Sequence, residues 1–157
     1  MNLLKLSGVF FVLFLMASCG PKVIYREKVV QNNGVWPYGE SMHFITEIED
    51  TTGLYDLFIL VDHSKDYRFE NIYYTLEVSY PDDVVIKDTM SIELTDRAGN
   101  WSGKCKKDRC ELNYPLIEHF RFKQAGKHEF TLNQFTRVDS LAGIYGIGLM
   151  ISEAEEK

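Results

Sequence analysis

No apolar run in this 157-residue chain is long enough to cross a bilayer as a permanent helix, which takes about 20 residues. Positive charge is scarce as well. Lys and Arg total 17 against 23 Asp and Glu, a net charge of −6, and an acidic domain gains nothing from a polyphosphate backbone, so no nucleic-acid partner is expected. Catalytic layouts are missing: there is no Gly-x-Ser-x-Gly elbow, no His-Glu-x-x-His and no Gly-Lys-Ser/Thr phosphate loop. Asp62, His63 and Ser64 supply triad residue types, but consecutive residues on one strand end cannot take up triad geometry. Asp82 and Asp83 follow Pro81 and read as a solvated turn rather than an acid/base pair. His43, His63, His119 and His128 are scattered. The expectation is a protein that is not an enzyme, with no catalytic residues, no metal and no cofactor.

The first eighteen residues are a different kind of segment. Lys5 gives a short positive start, Leu6 to Met16 is apolar, and Ala17-Ser18 lead into Cys19. This is the layout of a secretory signal. Met16-Ala17-Ser18-Cys19 resembles the bacterial lipobox, with Met where Leu is usual. In a lipobox the thiol is diacylglycerylated and becomes the new N-terminus. Residues 1–18 are therefore expected to be a lipoprotein signal peptide and Cys19 the lipidation site. One acyl chain binds a bilayer only marginally, whereas two or three hold a protein there durably. The lipid bilayer is thus the first expected partner.

Cysteine is also rare, at three, an odd number for an exported chain. With Cys19 acylated, Cys105 and Cys110 remain, with four residues between them in Cys105-Lys106-Lys107-Asp108-Arg109-Cys110. A loop of that size can bring the sulfurs within bonding reach, and an oxidising compartment favours the bond. Two free thiols in an exposed loop are the alternative. Zinc would want four N or S ligands, and no such spacing is present.

Residues 19–40 read as a lipidated tether. They contain Pro21, Pro37 and the turn signal Asn32-Asn33-Gly34, with no sustained periodicity. A stretch of that length spans at most about 70 Å when extended. From residue 41 to 157 alternation of period two takes over. Candidate strands are Met42 to Ile48, Leu54 to Asp62, Ile72 to Tyr80, Val84 to Leu94, Leu116 to Phe122, His128 to Phe135 and Ile144 to Ile151. The second is nearly all apolar and should be buried on both faces. Asp88 interrupts the apolar face of the fourth, where a bulge is expected. No helix is apparent. Aromatic residues make up 13%, which suits strands packed face to face. The expected fold is all-β, an antiparallel β-sandwich of about seven strands.

Two further features carry a functional reading. Asp96 to Gly103 is a Gly-punctuated loop holding Asn100 and Trp101, the candidate partner contacts, because an exposed Trp is a common interface anchor and sugar-stacking platform. The plainer reading makes Trp101 a plug on one end of the sandwich. Gly143, Gly146 and Gly148 lie in or beside the last strand, where they permit close backbone approach or a bulge.

Several segments, taken in order, resemble the gliding-motility lipoprotein GldH family. They are Tyr67-Arg68-Phe69-Glu70-Asn71-Ile72-Tyr73, Asp88-Thr89-Met90, Leu94-Thr95-Asp96 running into Gly99-Asn100-Trp101-Ser102-Gly103, Phe122-Lys123-Gln124-Ala125-Gly126 with Phe130 and Gln134, and Leu141-Ala142-Gly143-Ile144 with Ile147-Gly148-Leu149. The resemblance implies an outer-membrane lipoprotein on the periplasmic face, a non-enzymatic part of the gliding machinery associated with type IX secretion, with protein partners in an envelope complex. It brings no catalytic residues. The Lys104 to Cys110 stretch departs from the family, which usually continues here in Gly without a cysteine pair. Gly20 and Pro21 form no acidic run of the kind that resembles a surface-export signal, which favours the inner leaflet. The competing expectation is a glycan-binding β-sandwich lipoprotein, motivated by the Tyr and Trp content.

Overall fold

The computed structural model describes residues 20–155; the signal segment and Cys19 lie outside the described residues. Eleven strands form among them, and no helix. One antiparallel sheet runs β1 (Val23–Val30), β11 (Ile144–Glu153), β4 (Tyr55–Ser64), β8 (Arg109–Phe120) and β7 (Lys104–Lys106) from edge to edge. The facing sheet runs β3 (Met42–Ile48), β9 (Gly126–Gln134), β5 (Asn71–Ser79) and β6 (Val85–Glu93). A short pair, β2 (Val35–Pro37) with β10 (Ser140–Ala142), closes one end. The all-β sandwich expected from alternation is what forms.

Period-two patterning explains which side chains go in. Met42, Phe44, Thr46 and Ile48 of β3 are buried while His43, Ile45 and Glu47 between them are exposed. Ile72, Tyr74 and Leu76 of β5 meet Leu57, Ile59 and Val61 of β4 and Ile147, Leu149 and Ile151 of β11 in one core. Each fully buried side chain of this size contributes about 1.5–3 kcal/mol. Leu60 and Met150, on the other side of the five-stranded sheet, are also buried; the second burial expected of β4 is real on that strand's outer face.

Two expectations need correction. Asp88 causes no bulge: β5 and β6 pair without a register break from Asn71↔Glu93 to Ser79↔Val85. Asp88 is exposed because β6 is an edge strand with an open flank. A carboxylate turned toward the gap between sheets discourages edge-to-edge pairing. The larger correction concerns residues 19–40. Val23–Val30 is an edge strand, paired with β11 through Val23↔Ser152 and Val30↔Gly146, and Tyr25 and Val29 pack on the core. The approach of β1 depends on Gly148. A Cβ there would stand 2.4 Å from the carbonyl oxygen of Glu27, closer than any side chain tolerates. Trp36, in β2, is completely buried. The strand alternation of Val23–Val30 is weak because an edge strand on one face of a sheet buries little, and Pro and Gly around β2 hide a three-residue strand.

Strand order sorts the loops onto two ends. Lys22, the Asp50 turn, the Tyr80–Asp83 turn, Arg121–Ala125 and residues after Glu153 share one end. The β2–β10 pair, the Tyr67 segment, the Trp101 loop, the β7–β8 hairpin and Phe135–Asp139 share the other.

Candidate functional site at the Trp101 end

Asp96 organises the loop that presents Trp101. Its carboxylate accepts the backbone N–H of Ala98 at 2.8 Å and of Asn100 at 2.9 Å, and the Asn100 side-chain amide donates to its other oxygen at 3.0 Å. The amide of Asn100 is the main reason the Asp96 carboxyl is held below the usual carboxylate range. Gly99 takes φ of 80° to close the turn. Asn100 is exposed, with its amide engaged in this loop.

Trp101 is half-buried and packs against the core. Its indole N–H donates to the Lys65 carbonyl at 3.2 Å, and its ring lies 4.7 Å from that of His63. His63 is wholly buried, with Nδ1 2.8 Å from the Ser64 carbonyl oxygen. Burial lowers its pKa from the ordinary value near 6.5. The unfolded chain therefore takes up this proton first as pH falls. His63 is stability-neutral above about pH 6.5 and destabilising below it. Urea midpoints measured from pH 7.5 to pH 5 are expected to fall, and His63→Leu is expected to flatten that slope; parallel slopes would contradict this.

Cys105 and Cys110 face each other across β7 and β8, with sulfurs bonded and Cα atoms 4.0 Å apart. Lys107 turns the hairpin with φ of 54°. Arg109 fixes it to the sheet. Its guanidinium donates to both oxygens of Asp62, one at 2.9 Å, and lies 3.7 Å from the centre of the Tyr145 ring. Lys28 of β1 approaches Asp62 at 3.7 Å and Glu111 at 3.6 Å. Asp62 points to this outer face while His63 points to the core, as neighbours on a strand must. His43 pairs with Glu129, His119 lies 4.0 Å from Asp56, and His128 is buried against Phe122. Among the described residues no three His, Cys, Asp or Glu side chains cluster to hold a metal ion.

A cleft was not anticipated from sequence. About 790 Å³ in volume, it is lined by Tyr67, Phe69, Tyr73, Phe135, Arg137 and Val138 among others. Phe69, Tyr73 and Phe135 are each 39–54% exposed, and Arg137 is the sole charged side chain in the lining. The available signal was Phe135 and Tyr73 standing at alternation positions that face outward, where a polar residue is the norm.

The family described as GldH lipoprotein matches residues 23–151, from the first residue of β1 to the end of the core in β11. The chain belongs to that family. Its relatives include the gliding motility lipoprotein GldH homolog of Christiangramia forsetii, 28% identical over 92% of this chain and 93% of that protein. The gliding motility lipoprotein GldH of Flavobacterium johnsoniae is 25% identical over 97% of this chain and 99% of its own length. No solved structure matches the chain. The GldH lipoprotein match begins at Val23, so the segment expected to be a tether is part of the family's shared domain.

Proposed function

We propose that this GldH-family chain is a lipoprotein anchored through Cys19 to the periplasmic face of the outer membrane, where it serves as a non-enzymatic scaffold in the gliding and type IX secretion-associated envelope machinery. The observation that carries this reading is the full-length match to two relatives named for gliding motility. The Trp101 end supplies the partner-contact surface: a loop held rigid by Asp96 with Asn100 exposed, Trp101 beside it, and the hairpin fastened by Cys105 and Cys110. The aromatic cleft offers Arg137 and no carboxylate or histidine, which supports binding over hydrolysis. Deleting the gene is expected to abolish surface-adhesin movement or impair cargo secretion; a deletion strain unchanged in both overturns the role. Exposed Phe69, Tyr73 and Phe135 also favour a second reading, a glycan-binding lipoprotein. Titration with envelope polysaccharide fragments tests it, and binding unchanged by Phe135→Ala would remove it.

A further inference from the structure

The structure fixes where the chain becomes part of the domain. The Lys22 carbonyl oxygen accepts the backbone N–H of Glu153 at 2.9 Å, and its ammonium pairs with the Glu153 carboxylate at 2.8 Å. Only Gly20 and Pro21 separate this clamp from Cys19. Three peptide units reach about 11 Å at most, and Pro21 removes one of the few free torsions. A sandwich built on strands of ten residues is about 33 Å tall. The link is thus about a third of the height of the body it holds.

We propose that the short link stands the domain on end: the Lys22 end rests in the lipid headgroups of the anchoring bilayer, and the Trp101 end is held away from it. This rests on the lipid anchor proposed above. The surface around the link fits such a contact. Val23 is 48% exposed, Ile24 36% and Leu54 37%. Leu54 sits beside the clamp, since its carbonyl oxygen accepts the Ala154 N–H next to Glu153. Arg121, which donates to the Thr52 carbonyl, adds a cation at the same rim. Of the acids at this end, Glu153 is paired with Lys22, the Asp50 carboxylate is turned onto the N–H and hydroxyl of Thr52 at 2.7 Å each, and Asp82 accepts the Gln124 amide. Glu49, Asp83 and Glu155 are exposed beside them and suit the ammonium of a zwitterionic headgroup rather than an anionic one. The headgroup zone of one leaflet is about 5–7 Å deep, so a link that reaches about 11 Å at most holds the rim in that zone or within about 5 Å of it. The aromatic cleft and the Cys105–Cys110 hairpin lie at the opposite end of the strands.

Intrinsic fluorescence tests this directly, because Trp36 and Trp101 both lie at the far end. The acylated full chain is placed in phosphatidylethanolamine vesicles carrying a nitroxide on the headgroup. Leu54→Trp adds an indole at the rim, and the emission it adds over wild type is expected to fall about twofold if the rim sits in the headgroup zone, while wild-type emission is unchanged. Inserting twenty Gly and Ser residues between Gly20 and Pro21, with an end-to-end distance of about 25 Å, is expected to abolish the quenching without releasing the protein. Quenching of the wild-type indoles, no quenching of Leu54→Trp in vesicle-bound protein, or quenching that survives the insertion would each overturn the proposal. Failure of the anchor reading is distinguishable: such protein carries an unmodified Cys19 and does not sediment with vesicles.

Discussion

Replacing Trp36 with alanine is expected to lower stability by about 3–5 kcal/mol, the range for removing a large buried aromatic. Against a total of about 5–15 kcal/mol for a domain this size, that leaves the variant near its unfolding threshold. Trp36 is 0% exposed. Its N–H donates to the Glu40 carbonyl at 2.9 Å, its own carbonyl accepts the Gln134 side-chain amide at 2.8 Å, and it pairs in register with Leu141 of β10. The residue closes the end of the core where the two sheets would otherwise splay. Alanine would remove the plug and the indole donor together, leaving the Glu40 carbonyl with one bond fewer. Trp36→Phe keeps most of the bulk and is expected to cost less, with about 1 kcal/mol of its loss assigned to the missing hydrogen bond. Urea denaturation of the wild type and both variants measures the effect. A loss below about 1 kcal/mol for the alanine variant would mean that residues 31–40 are not integral to the fold.

A chain that starts at Ser41 is expected not to fold, whereas one that starts at Gly20 folds cooperatively. The shorter chain loses β1, β2 and Trp36. It leaves β11 as a bare edge from Gly146 to Ser152, with its whole hydrogen-bonding row against β1 unpaired. Long apolar edges of this kind recruit other chains, so aggregation is the expected fate. Dispersed amide resonances from the Ser41 chain, comparable with those of the Gly20 chain, would contradict this.

Residues 23–37 also show where sequence reading stops short. Strands with one face in the core and one in water announce themselves by alternation, and β3, β5 and β9 were legible for that reason. β1 was not. Its residues alternate between core contacts such as Tyr25 and Val29 and the stems of Arg26 and Lys28, which lie over Met150, Gly146 and Gly148. Long basic side chains that cover apolar or glycine surface look like solvent-facing residues in sequence. β2, β7 and β10 have three residues each, too few to display a period. At the site, the Cys105/Cys110 hairpin and the Trp101 loop could be located because Cys and Gly mark turns. The cleft could not, because Tyr67 and Phe135 are 68 residues apart and meet only after β5 and β9 pair.

The membrane-anchored scaffold role and the end-on placement both assume that sulfur 19 carries lipid. The intact mass of the mature chain, purified from both the membrane and the soluble fractions of native cells, tests this most directly. The account predicts a polypeptide that begins at Cys19, heavier than its sequence by a thioether-linked diacylglycerol and an acyl group. A soluble chain with a free thiol at position 19, or one that retains residues 1–18, would contradict it.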